Sequence, residues 1–434
     1  WKSFWTPNLP RSSRTTPRVS SRSCARERDV STVTGIFAIA SPLLLAMAAG
    51  AAPSLDEAAL PEPGPRWGVR YIVDLGPFEF LKINQEQWSR PYISRTGSRM
   101  FIGLRSNRLE AREMASGRIL WTHPDFGTIG AGMAEWSGLL LVGADSDLAA
   151  VDQQSGQTRW RVDLSGSVAG PMALYGDLLL IPIRPNAVVG VDLAERQLLW
   201  RQKRPTPEGL TIRGQAVPTV DPARGLAYLG FSDGTLMAVR PQTGEQVWGI
   251  RLPGGIDARF KDVDARPWLV DEGRGLLVAG FGQGVFLLDP ETGREIYSRE
   301  LLGVTAITRA EPLDVWVFAL GTREVVGFDP ELGRVIWRYS VEKGFPNQPV
   351  PAGNGEVFVG SSRGATVLLD GATGRPLQSL SPGSGTSTPL QVRGEQAVLL
   401  SNKALLMVMR RGMGDSISGV LPKDPGRQAK LPAR

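Results

Sequence analysis

One cysteine and one histidine in 434 residues remove most of the familiar site chemistry. A lone Cys24 rules out an intramolecular disulfide and any cysteine-built zinc cluster. A lone His123 argues against a histidine metal site or a Ser-His-Asp triad, and a single loop histidine reads as a surface residue. The body also lacks a basic surplus. Residues 1–33 and 410–434 carry +5 and +4 of a formal net charge of +6, which leaves the middle at about −3. That balance excludes the basic surface of a nucleic-acid binder. The basic ends suit acidic lipids or nucleic acid, or are simply solvated. Long apolar runs are equally scarce, with one exception near the start.

That exception is "VTGIFAIASPLLLAMAAGAAPS", which follows Arg26 and Arg28 and ends in small residues. Ala46-Met47-Ala48 and Ala49-Gly50-Ala51 each fit a small-x-small cleavage pattern, so residues 34–52 read as a secretory signal or an uncleaved membrane anchor. Residues 1–33 are rich in Ser, Arg and Pro and hold no Met. They read as a disordered extension or as sequence upstream of the true start. The Pro-rich stretch 53–66 reads as a stiff linker, 67–410 as the folded body, and 411–434 as a disordered basic tail.

What is abundant is punctuation: 51 Gly and 33 Pro, the composition of a turn-rich all-β chain. The turns recur. "LAAVDQQSGQTRW", "LMAVRPQTGEQVW", "VFLLDPETGREIY" and "VVGFDPELGRVIW" end at Trp160, Trp248, Tyr297 and Trp337. Weaker copies end at Trp121, Trp200 and Gln378. A glycine stands four residues before the aromatic position at Gly117, Gly156, Gly244, Gly293, Gly333 and Gly374, and Arg196 replaces it once. Glycine there supplies the positive φ of a tight turn. Asp152, Asp192, Asp289, Asp329 and Asp370 stand where that turn begins and read as turn caps. Strand, turn, strand, turn and an aromatic strand, with "AGPMALYG" as a fourth strand after it, make one propeller blade.

The aromatic positions number seven. "PRWGVRYIVDL" at Trp67 reads as an eighth outer strand whose partners, "GEQAVLLSNKALLMVMRR", lie at the far end. The predicted fold is an eight-bladed β-propeller of about 43 residues per blade, with seven blades as the alternative. N- and C-terminal strands close it in one blade. The glycine-rich "GFGQGVF" (280–286) aligns with "GFSDGTL" (230–236) and reads as strand-turn-strand, not as a phosphate loop.

The rhythm breaks once. Trp121, Trp160 and Trp200 recur about every 40 residues, then Trp248 and Tyr297 each come about eight residues late. The extra residues lie around "LTIRGQAVPTV" and "GGIDARFKDVDARPW". On the residues alone, "LTI" is as well read as a strand start buried between blades, with Arg213 paired to Asp262 or Asp264.

A D-x-x-T-G-x-x-x-W blade resembles the pyrroloquinoline-quinone type of propeller repeat, which dehydrogenases and scaffolds share. The two enlarged repeats are similar to the outer-membrane protein assembly factor BamB family, the propeller lipoproteins of the β-barrel assembly machinery. The resemblance implies a non-enzymatic scaffold in the periplasm, at the inner face of the outer membrane, with no cofactor and no metal. It implies docking on a periplasmic domain of the machinery's central barrel subunit, with unfolded outer-membrane proteins as further partners. Its contact loops match Leu210, Ile212 and Arg213, then Asp262 and Asp264. Alternating Leu210 and Ile212 suit burial on contact, and the planar fork of Arg213 suits a carboxylate or carbonyl. Family members carry a lipid on a Cys just after the signal, but here Cys24 precedes the apolar run, so a lipid anchor is not expected. A quinone-dependent dehydrogenase and a generic ligand-binding exported propeller are the alternative functions.

Overall fold

In the computed structural model, residues 67–76, 89–104, 107–206, 216–254 and 261–412 are described, all within the larger of two units, 60–434. The expectations for residues 1–66 and 413–434 fall outside them.

Eight four-stranded antiparallel sheets form the eight blades of a β-propeller. Blade 1 comprises Tyr92–Ile93, Arg99–Leu104, Arg108–Glu113 and Ile119–His123. Blades 2 to 7 repeat that order over 129–163, 173–203, 219–251, 268–299, 304–340 and 350–380. Blade 8 adds the N-terminal strand Trp67–Asp74 to the edge of Leu405–Arg411, as expected from the two ends of the body. The first strand of each blade lies toward the axis, where Tyr92–Ile93 meets Gln391–Arg393 and Ala173–Tyr175 meets Thr219–Asp221. The aromatic strand is therefore outermost, and the chain must return to the axis before a new blade begins. For that reason "AGPMALYG" opens blade 3, pairing Ala173 with Leu180, rather than following the Trp160 strand as a fourth strand of blade 2.

There is no single core. Each seam between neighbouring blades holds its own apolar cluster, such as Leu141, Leu148 and Val162 of blade 2 against Ile181, Val189 and Val191 of blade 3. A middle strand therefore faces a seam on both sides, which is why Leu178–Ile183 is buried at every residue. Near-continuous apolar runs are the sequence mark of such strands.

The seams are pinned by one recurring contact. An aromatic ring on the outermost strand lies on the turn glycine of the next blade and donates to the carbonyl three residues before that glycine. Trp121 Nε1 donates to Gln153 O at 2.9 Å, Trp200 to Pro241 O at 2.8 Å, Trp248 to Pro290 O at 3.1 Å and Trp337 to Gly371 O at 2.8 Å. The glycine is required twice over: φ is +70° to +75° at Gly156, Gly244, Gly293 and Gly374, and an added Cβ would stand 2.5–2.7 Å from the indole. Blade 3 lacks this glycine, and Arg196 takes the position with φ +58°.

In blade 8 the structure shifts the register read from the sequence. Tyr71, not Trp67, occupies the aromatic position, with its hydroxyl donating to Met114 O at 2.8 Å and its ring against Gly117. Trp67 instead fills the place of the missing turn. Gln378, in the aromatic position of blade 7, clasps its backbone: Trp67 N donates to Gln378 Oε1 at 3.1 Å, and Gln378 Nε2 donates to Trp67 O at 2.7 Å. The Trp67 ring packs edge-on against Phe358 at 5.4 Å, under the Arg411 guanidinium.

The repeated aspartates cap their turns. Asp152, Asp192, Asp289, Asp329 and Asp370 each accept the N–H groups two and three residues on. The Arg159 guanidinium and the turn N–H groups hold the Asp152 carboxyl below its ordinary range, and the N–H and hydroxyl of Thr292 do the same for Asp289. Carboxyls depressed in the folded state stabilise it above the ordinary Asp range, and that contribution is lost as pH falls.

The double demand on the turn glycine is testable by comparison. Gly374 and Gly225 both have positive φ, but only Gly374 lies under an indole. Gly374→Ala lowers unfolding stability by about 2–5 kcal/mol, and Gly225→Ala by about 1–2 kcal/mol. Equal losses in chemical denaturation would mean that the ring exerts no steric demand.

Candidate functional site

The segments that return the chain from the rim to the axis, here called connectors, all join an outermost strand to the next innermost one. They share a propeller face with the turns between second and third strands. Hydrogen bonds stitch each connector to those turns in the blades on either side. Val263 N donates to Phe231 O at 3.2 Å in blade 4, and Phe281 N of blade 5 donates to Asp262 O at 3.0 Å. Gly303 repeats the pattern between Phe281 and Gly321. A connector held this way at its ends can lengthen in the middle without disturbing the seams.

Connectors 124–128 and 300–303 are short; 204–218 and 252–267 are the two enlargements expected from the aromatic spacing, and they flank blade 4. A third long connector, 75–91, leads from blade 8 into blade 1. The interval to Trp121 is long whether counted from Trp67 or from Tyr71, but it precedes the run of regular repeats against which the other two enlargements stand out.

Leu210, Ile212 and Arg213 lie outside the described residues. The parts of both enlarged connectors that are described converge at two places. Ala216 and Val263 close on Gly230, where a Cβ would stand 2.9 Å from the Ala216 methyl and 2.8 Å from Val263 O. On the same blade, the Thr219 hydroxyl donates to Pro267 O and accepts from Arg266 Nε at 3.0 Å. Arg266 also lies 4.4 Å over the Trp268 ring, and burial lowers its pKa. Asp262 is 2% exposed, and both carboxylate oxygens of Asp264 are buried. These two side chains are thus part of the connector's interior, while Lys261 beside them is exposed.

Three supporting residues carry no sequence motif. Asn186 is fully buried; its carbonyl oxygen accepts Ser232 N at 3.1 Å and its amide donates to Pro205 O at 2.8 Å. Asp233 accepts from Arg204 Nε at 3.1 Å, and Gln283 Nε2 donates to Leu252 O at 2.8 Å. Arg204 and Leu252 are the first residues of the two enlarged connectors. Asp233 and Gln283 hold the same place in "GFSDGTL" and "GFGQGVF", the turns read as strand-turn-strand, which they are. A polar residue at the matching position of the blade after each insertion was the available signal. No group of three potential metal ligands occurs among the described residues. What the described residues offer is a pair of connectors anchored at their ends.

Comparison with known proteins bears on its use. The family profile described as "Outer membrane protein assembly factor BamB" matches residues 105–315 and 321–415. The protein of that description from Nitrosomonas eutropha is 22% identical over 205 residues, covering 46% of this chain and 49% of the relative. The one from Burkholderia pseudomallei is 21% identical over 251 residues, covering 56% and 63%. The matched part of the chain thus spans about half to two thirds of these relatives. Among solved structures, BamB from Moraxella catarrhalis superposes with a TM-score of 0.65 at 22% identity, over 80% of this chain and 100% of that one. Quinohemoprotein alcohol dehydrogenase ADHIIG from Pseudomonas putida HK5 gives 0.64 at 13% identity, over 82% and 78%. At these identities the superpositions bear on fold alone.

The anchoring role of Asn186 has a direct readout. Asn186→Ala leaves buried partners unmet and costs about 1–3 kcal/mol. It also raises hydrogen exchange and protease cleavage within 204–218 while leaving 300–303 protected. Unchanged protection of 204–218 would remove Asn186 from the support of that connector.

Proposed function

The chain belongs to the outer membrane protein assembly factor BamB family, and from that premise we propose that it is a non-enzymatic scaffold of the β-barrel assembly machinery. It acts at the inner face of the outer membrane, docking on periplasmic domains of the central barrel subunit to aid insertion of outer-membrane proteins. The observation that carries this reading is the coupling of connectors 204–218 and 252–267 across blade 4 at Gly230 and Thr219.

In this reading Leu210, Ile212 and Arg213 supply the contact: two apolar side chains to bury and a guanidinium to pair with an acceptor. Asp262 and Asp264 act from within, holding the second connector in shape, in keeping with their burial. Anchored connector ends leave less of each loop to be ordered on docking, which favours affinity. Export follows from the segment 34–52, by cleavage or by retention as an anchor.

The dehydrogenase alternative shares the propeller but demands oxygen ligands for a calcium ion and an aromatic floor for a quinone. Assembly by loop contact needs neither. Adding pyrroloquinoline quinone with Ca²⁺ produces no new absorbance and no alcohol oxidation; either signal would restore the enzyme reading.

Docking itself is checked by pull-down. Leu210→Asp with Arg213→Ala lowers capture of the central subunit at least tenfold, about 1.4 kcal/mol, with the melting temperature unchanged. Capture at the wild-type level removes these residues from the contact.

A further inference from the structure

Every blade carries the same irregularity. The ladder between its third and outermost strands skips one residue, the one just before the aromatic position. Trp200 pairs with Gly190 and Leu198 with Val191, leaving Leu199 out; Trp248 and Gln246 leave out Val247. Ile296, Ile336, Leu120, Arg159, Leu377 and Arg70 are skipped in the same way in the remaining blades. A β-bulge of this kind re-aims a side chain. Here it turns the aromatic into the seam and its predecessor out to the rim.

What the bulge presents differs around the ring. In four consecutive blades, 3 to 6, it presents an apolar side chain to solvent: Leu199 41%, Val247 44%, Ile296 54% and Ile336 40% exposed. Blade 2 has Arg159 there, paired to Asp152 at 2.8 Å, and Leu120 and Leu377 of blades 1 and 7 are half-buried. The same four outermost strands expose Arg201, Lys203, Arg251, Arg299, Arg334 and Arg338, the last paired to Glu324 of the neighbouring strand at 3.1 Å, against one carboxylate of their own, Glu295. Apolar studs among cations thus run along one half of the rim and are missing from the other. Bulges also twist a strand edge away from straight pairing. The half-rim is therefore shaped to take side chains from a flexible chain rather than to be extended as a sheet.

We propose that the rim of blades 3 to 6 is a multivalent surface for an unfolded polypeptide in which apolar residues are interspersed with acidic ones. The charge of the four strands selects the acidic partner, and the repeated stud supplies the apolar contact. Each contact alone is weak, and several on one chain raise the effective concentration of the rest. The inference rests on reading the chain as an assembly factor that handles unfolded β-barrel precursors. It names where such a client is held, apart from the docking connectors.

The test uses two labelled peptides of about two dozen residues, one alternating Leu or Val with Asp or Ser, the other carrying Lys for Asp. Fluorescence anisotropy on the full chain gives at least tenfold tighter binding of the acidic peptide, weakening as salt rises. The variant Leu199→Ser/Val247→Thr/Ile296→Thr/Ile336→Thr loses at least tenfold in that affinity while capturing the central subunit like wild type. Equal binding of the two peptides, or undiminished binding by the variant, overturns the proposal. So does self-association of the wild type that the variant abolishes without peptide binding, since the rim would then join two copies. If the fourfold variant melts early, Val247→Thr/Ile296→Thr alone must still weaken the acidic peptide. Because no central subunit enters the peptide assay, failure here leaves the docking reading standing, and failure of docking leaves the peptide result interpretable.

Discussion

A ring of sheets holds together here because an aromatic side chain reaches one blade forward and rests on a glycine that has no room for anything larger. Trp121 on Gly156, Trp200 on Gly244, Trp248 on Gly293 and Trp337 on Gly374 are one contact repeated, each with a hydrogen bond into the next turn. The contact sets the spacing of blades and pins the turn face. With each seam carrying its own apolar cluster, the opposite face is left with little structural duty. The connectors there need only reach the axis and bond to neighbouring turns, and lengthening a loop costs little. That division explains why the insertions fall in connectors and not in the strands or the Asp-capped turns.

The ring and its closure were legible because their causes are local. Period, turn glycine and capping Asp are spelled out in each repeat, and the unmatched strands at the two ends of the body could complete only each other. The register of blade 8 was not legible. Trp67 looks like the repeated aromatic, and only the geometry of a missing turn makes Tyr71 its equivalent and gives Gln378 a backbone to clasp. The position of "AGPMALYG" differs from expectation for a similar reason: a strand's sequence does not say on which side of a connector its sheet lies.

Of the candidate site, the spacing of aromatics located both enlarged connectors, and the resemblance supplied the residues. The burial of Asp262 and Asp264 was not in the sequence, since a carboxylate in a loop reads as exposed until the connector is seen folded against two turns. Asn186 and Gln283 bond backbone carbonyls of distant segments and Asp233 a distant guanidinium, so apart from the matched positions of Asp233 and Gln283 they leave no pattern among neighbours along the chain. The studs at Leu199, Val247, Ile296 and Ile336 look like core residues beside a Trp, and only the skipped ladder position turns them outward.

The strand Trp67–Asp74 is the first of the ring to be synthesised, and it hydrogen-bonds Leu405–Arg411, the last. Until the ribosome has delivered everything between them, blades 1 and 7 each keep a bare flank that only blade 8 can cover. A chain interrupted anywhere along its length therefore lacks a stable stopping point and displays apolar surface to whatever proteases patrol its compartment. The order of assembly thus doubles as a completeness check, passed in one final long-range pairing.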